Sequence, residues 1–155
     1  MKIIVAKTAG FCFGVNKAVN TVRELTEKSD LPIYTIGPII HNDQVVDFFK
    51  SKGVNVAEDV KDIKEGSHAV IRAHGVPPEV YEEAVKKNLC IDDATCPYVK
   101  KIHKLVNEKH NENYQIIIVG DKNHPEIIGI NGWCGNSAYI VDSVDDVDKL
   151  PDIDR

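Results

Sequence analysis

No apolar run in the 155 residues approaches the about 18 needed to cross a bilayer, so no membrane partner is expected. The opening Met1-Lys2-Ile3-Ile4-Val5-Ala6-Lys7 stops at a lysine after a few apolar positions and lacks the longer apolar region and small-residue cleavage site of a secretory leader. Basic clusters are also missing: the longest are the pairs Lys86-Lys87 and Lys100-Lys101, and 19 Lys plus Arg against 24 Asp plus Glu give a net charge of −5. Duplex nucleic acid is gripped largely by clustered cations, so no nucleic-acid partner is expected. The four cysteines, at 12, 90, 96 and 134, form no Cys-x-x-Cys pair, which removes zinc-ribbon and thioredoxin readings. Neither a Walker A loop nor Gly-x-Gly-x-x-Gly occurs, so the usual nucleotide cradles are absent. The expected location is cytoplasmic, where cysteines serve as thiols or metal ligands.

What is present is an ordinary globular composition, 43% hydrophobic and 28% charged. Short β-like runs at 3–6, 32–36, 69–73, 89–91, 115–119 and 138–141 alternate with helical patterns. Val15, Ala18, Val19, Val22 and Leu25, at offsets 0, 3, 4, 7 and 10, share one helix face. Further helices are predicted around Val45 to Phe49, from Pro77-Pro78 to Asn88, from Pro97 through Val106, and from Ser143 with an apolar stripe at Val144, Val147 and Leu150. This alternation predicts an α/β protein with mostly parallel sheets and flanking helices, because parallel strands need crossover connections. The expected divisions are an N-terminal strand and cysteine loop (1–13), a first α/β domain (14–96) and a second, incomplete one (97–155). A further strand is expected after Pro151, so the chain reads as a piece of a longer protein.

Ligands in open α/β sheets bind outside the carboxyl ends of the strands, so the residues there carry the chemistry. Three of the six histidines, His41, His74 and His124, and two of the four cysteines, Cys12 and Cys96, fall at such ends. Each histidine is expected just before a helix, whose free N–H groups and positive dipole end favour an anion such as a phosphate or diphosphate. Cys12 and Cys96 read equally as buried inert thiols or as thiolates at helix N-termini able to hold a soft metal. Cys90, between Leu89 and Ile91, reads as a strand core residue, and Cys134 as a passive thiol. His68, His103 and His110 read as structural or surface residues. Glu126 falls in the first turn of a helix, where it either complements the dipole or delivers protons.

The segments Gly10-Phe11-Cys12-Phe13-Gly14-Val15, His41-Asn42, Arg72-Ala73-His74-Gly75-Val76, Ala94-Thr95-Cys96-Pro97 and His124-Pro125-Glu126 resemble, in order, the motifs of the 4-hydroxy-3-methylbut-2-enyl diphosphate reductase family, also called IspH or LytB. The resemblance covers the whole chain but about the first half of a family member. It implies a three-domain α/β iron–sulfur enzyme that reductively removes the allylic hydroxyl of that diphosphate to give isopentenyl and dimethylallyl diphosphates. Cys12 and Cys96 are implied as two of three ligands of a [4Fe–4S] cluster, the third lying outside this chain. His41, His74 and His124 are implied to hold the diphosphate, Glu126 to supply a proton, and ferredoxin or flavodoxin to supply electrons. The first strand is implied to pack with a third domain that this chain lacks. Two other readings compete: a non-catalytic phosphate- or diphosphate-binding module, and a zinc hydrolase using Cys12, His74, Cys96 and His124.

Overall fold

A computed structural model describes residues 1–153. The elements run α1 (Phe13–Lys28), β1 (Ile33–Ile36), α2 (Asp43–Ser51), β2 (Val54–Ala57), a short 3₁₀ turn (Val60–Asp62), β3 (His68–Ile71), α3 (Pro78–Lys86), β4 (Cys90–Asp93), α4 (Pro97–Asn111), β5 (Ile117–Val119), α5 (Pro125–Gly132), β6 (Tyr139–Val141) and α6 (Val144–Val147). Among the described residues the strands form a sheet of order β2-β1-β3-β4 and a pair β5-β6, every pairing parallel. The expected fold class is the observed one.

Side chains alternate across a strand, and the core follows that alternation. Ile33 and Val70 meet Ala18, Val19 and Val22 of α1 and Phe49 of α2 on one face. Ile36, Ala69 and Ile71 meet Ile63, Val76 and Ala84 on the other. Both faces are covered, as a parallel sheet requires, and each fully buried Val or Ile contributes about 1.5–3 kcal/mol. A separate cluster of Val106, Ile118, Ile130 and Cys134 packs α4 and α5 on the β5-β6 pair.

Three expectations need correction. Residues 3–6 form no strand: a strand needs a partner ladder, no described segment offers one, and Ile3, Ile4 and Val5 are 75%, 78% and 76% exposed. Cys90 is exposed, because it opens the edge strand β4, and the apolar interior at this point is filled by Leu89 instead. The stripe at Val144 and Val147 is also exposed, and α6 is a single turn fixed by Asp146, whose carboxylate accepts from the Ser143 N–H at 3.0 Å and hydroxyl at 2.9 Å. The strand β2 and the 3₁₀ turn were not anticipated, since Val54-Asn55-Val56-Ala57 is too short to show a period.

The structural reading of His68 holds in detail. Its Nδ1 meets Asp92 Oδ2 at 2.6 Å and its Nε2 meets Ser29 Oγ at 2.9 Å, tying the end of α1 to β3 and β4. The Leu31 N–H also donates to Ser29 Oγ at 3.2 Å, so this chain of bonds is a corner brace for the α1–β1 turn.

Candidate anion and thiol site at the carboxyl edge

The strand order β2-β1-β3-β4 reverses direction at β1, so β1 and β3 are the neighbours whose outgoing loops diverge. A crevice forms at such a switch point. His41 follows β1 and His74 follows β3, which puts one imidazole on each lip. The third, His124, comes from the loop after β5. There Asp121 holds the turn, its carboxylate accepting from the Asn123 N–H at 2.8 Å and its carbonyl from the His124 N–H at 2.9 Å.

The structure brings all three together. Ring centroids lie 4.8 Å apart for His41 and His74, 5.6 Å for His74 and His124, and 6.1 Å for His41 and His124. One ring nitrogen from each lies within 4.8 Å of the others. Two of the rings are placed by helix capping. Asn42 caps α2, its Oδ1 accepting from the Val45 N–H at 3.1 Å, and so fixes His41 beside it. His124 is itself the cap of α5, its Nδ1 accepting from the Glu126 N–H at 3.2 Å.

That last bond decides what the trio can hold. A neutral imidazole has one lone pair, and His124 directs it at its own helix, leaving Nε2–H as a donor. A donor suits an anion. A metal ion would have to break the cap to use that lone pair, which weighs against a three-histidine metal centre. His74 is pushed down to about 4, chiefly by burial and then by His41, Arg72 and His124, so near neutral pH it is a neutral donor. Its Nδ1 is buried without a partner. Arg72 adds fixed charge behind the site; burial pulls it below its ordinary value while the field of Glu58 opposes that.

Cys12 and Cys96 are the N-caps of α1 and α4, and neither thiol is spent on capping its helix. The two helix starts abut: a Cβ at Gly14 would stand 2.7 Å from Cys96 Sγ and 2.9 Å from Cys96 Cβ. Lys17 Nζ, one turn on, donates to the carbonyls of Asp93 and Thr95 at 3.3 Å each, clamping α1 to the Cys96 loop. The Cys96 N–H donates to the Ala73 carbonyl at 2.9 Å, so the thiol loop is stitched to the residue before His74. Two free thiols at facing helix N-termini beside neutral donors fit a soft metal cluster next to an anion. The other cysteines do not fit. Cys90 opens β4 at the amino edge of the sheet, and Cys134 is buried, its Sγ donating to the Asn131 carbonyl at 3.2 Å, with burial pushing the thiol up. Glu126 stands in the first turn of α5, two residues from His124.

Gly14→Ala should therefore be costly, and the cost falls on the Cys96 side chain. The new methyl cannot enter unless Cys96 moves, and overpacking of this kind costs about 1–3 kcal/mol. Urea unfolding would measure the loss, and native stability would contradict the abutment.

Sequence reasoning missed several supports. Arg72 carries no sign of its role in the local sequence. His103, set only among the structural residues, proves 4% exposed and stacked on Trp133, with ring centroids 5.5 Å apart. Its signal was readable: Val99, His103 and Val106 at offsets 0, 4 and 7 line the buried face of α4. Burial pushes His103 down to about 4 as well, against the field of Asp93. Both histidines are thus protonated more readily in the unfolded chain, so their contribution to stability is full above about pH 6.5 and is lost as pH falls toward 4. For His103 alone the loss is roughly 3 kcal/mol. Denaturation curves between pH 7 and pH 4 would read it, and a flat profile would contradict the burial of neutral rings.

Fold and site together define a parallel α/β protein with two cysteines at helix N-caps, their thiols unused by the caps, and a cluster of three imidazoles at the carboxyl edge of its sheet. The chain belongs to the LytB protein family, whose profile matches residues 3–154. It is 48% identical over 156 residues to the 4-hydroxy-3-methylbut-2-enyl diphosphate reductase of Alkaliphilus oremlandii, covering 100% of this chain and 56% of that protein. It is 47% identical over 150 residues to the protein of the same name in Clostridioides difficile, covering 97% and 54%. Among solved structures, the E-1-hydroxy-2-methyl-but-2-enyl-4-diphosphate reductase from Plasmodium falciparum matches with a TM-score of 0.90 at 42% identity, over 94% of this chain and 46% of that one. The chain spans about half the length of the curated relatives it matches. No described helix is long and apolar enough to cross a membrane.

Proposed function

We propose that this chain forms the diphosphate-gripping part of a cytoplasmic iron–sulfur reductase that removes the allylic hydroxyl of 4-hydroxy-3-methylbut-2-enyl diphosphate, yielding isopentenyl and dimethylallyl diphosphates. The observation that carries the reading is the convergence of three imidazoles at the β1/β3 switch point, with the His74 loop bonded to that of Cys96. The names of the relatives favour this over a passive binding module. The occupied lone pair of His124 weighs against a zinc hydrolase.

In this reading His41, His74 and His124 donate to the diphosphate, and the N-termini of α2 and α5 add free N–H groups and dipole. Anchoring the diphosphate there aims the other end of the substrate at the thiol pair. Cys12 and Cys96 would hold a [4Fe–4S] cluster, with a third cysteine from outside this chain. Such a cluster would supply a Lewis acid for the hydroxyl and a route for two electrons, with a ferredoxin or flavodoxin as their source. Glu126 holds the proton with which the hydroxyl departs as water.

Calorimetry with inorganic pyrophosphate tests the grip. Hydrogen bonds to a charged group are worth about 1.5–3 kcal/mol, so His41→Ala, His74→Ala and His124→Ala should each weaken binding about tenfold or more. Unchanged affinity in all three would overturn the reading.

A further inference from the structure

We infer that His103 is a positioning residue for the anion site: its ring is the spacer that sets the His74 turn and helix α5 at the separation the three-imidazole grip needs. The inference rests on the proposed anion grip but concerns a residue that lies outside it.

The seam between the two sheets is where the spacing is decided. His74 comes from the four-stranded sheet, while His124 caps α5, which packs on the β5-β6 pair. Where α5 meets the His74 turn it is built of glycine. A Cβ at Gly132 would stand 2.5 Å from Pro77 Cβ, and one at Gly129 would stand 3.7 Å from both the Gly75 carbonyl carbon and the His74 oxygen. The helix therefore lies almost backbone to backbone on residues 74–77.

His103 fills what remains beneath that contact. A Cβ at Gly75 would be 2.5 Å from its Cε1, and one at Gly129 would be 3.5 Å from its Nε2, so the ring touches both sides of the seam at once. Gly75 also has φ +73°, a conformation glycine alone adopts freely, and this turn brings its backbone down onto the ring. The ring is held from behind by Trp133 at an interplanar angle of 21°, and Trp133 Nε1 donates to the Val76 carbonyl at 3.0 Å. His103 Nε2 is buried and makes no hydrogen bond. What the seam uses is the flat ring itself, clamped between an indole and two glycines. A cavity of about 520 Å³ is lined by the same His103–Trp133 pair, so the clamp borders space into which it can relax if loosened.

The consequence is testable because a hydrogen bond weakens steeply once its donor is misplaced or misaligned. His103→Ala should weaken pyrophosphate binding at least tenfold by calorimetry while a cooperative thermal transition persists. His103→Phe, which keeps a flat ring, should recover most of the affinity. Imidazole resonances supply a readout that general destabilisation does not move: in His103→Ala the turn relaxes, His74 meets water, and its titration climbs from about 4 toward the ordinary histidine range. If His103→Ala does not fold, Trp133→Phe carries the test, since it keeps an aromatic wall but loses the bond to Val76, and it should shift the His74 titration in the same direction. Native affinity together with an unmoved His74 titration would overturn the inference. Should the native chain fail to bind pyrophosphate, the anion reading falls on its own, and the His74 titration still decides the role of His103.

Discussion

Cys12→Ser and Cys96→Ser are each expected to abolish bound iron when this chain is completed by the C-terminal half that its relatives possess. A serine hydroxyl is a hard, weakly acidic donor and replaces a thiolate poorly on iron. Both positions cap a helix with the thiol left free, so neither variant sacrifices a capping bond, and the fold should survive. Cys90→Ser and Cys134→Ser should leave iron content near normal, because one thiol lies at the amino edge of the sheet and the other is buried on Asn131. Iron analysis with electron paramagnetic resonance reads all four. Normal iron in the Cys12 or Cys96 variant would remove that residue from the ligand set.

Glu126→Gln is the second large effect, and it separates binding from chemistry. The amide keeps the shape of the side chain and leaves the Glu126 N–H, which caps on His124, in place. It cannot deliver a proton. Losing a general acid costs on the order of 10²-fold or more, so turnover should collapse while substrate affinity stays near native. Steady-state assays with a reduced viologen donor would show it. Turnover within a few-fold of native would mean that the carboxylate serves only the dipole of α5.

How far the sequence reaches depends on what kind of information each feature needs. Helix α1 was legible because Val15, Ala18, Val19, Val22 and Leu25 keep one period over a long stretch. Helices α3 and α4 were legible because prolines stand at their first turns. The strand expected at 3–6 did not form because apolar character alone is not a strand, and pairing depends on a neighbour. Cys90 was misplaced for a related reason: its neighbours in sequence are apolar, but exposure is set by its place at the start of an edge strand.

The site divides in the same way. His41, His74, His124 and Cys96 could be picked out because each follows a strand, and topology turns that local fact into convergence; Cys12 stands before α1 with no strand ahead of it. That the three imidazoles approach within 4.8 Å depended on the strand order and on the seam between sheets, neither of which is written in any local pattern. The Gly14 contact with Cys96 and the wedge of His103 under Gly75 join residues 82 and 28 positions apart, so no window of sequence displays them.

The central claim is that the imidazole trio and the thiol pair serve one reaction on one substrate. The most direct measurement is anaerobic turnover of 4-hydroxy-3-methylbut-2-enyl diphosphate by this chain assembled with a relative's C-terminal half, after reconstitution with iron and sulfide and with a reduced viologen as donor. The account predicts formation of isopentenyl and dimethylallyl diphosphates, competitively inhibited by pyrophosphate. An assembled, iron-loaded protein that binds pyrophosphate but leaves the substrate unconsumed would contradict it.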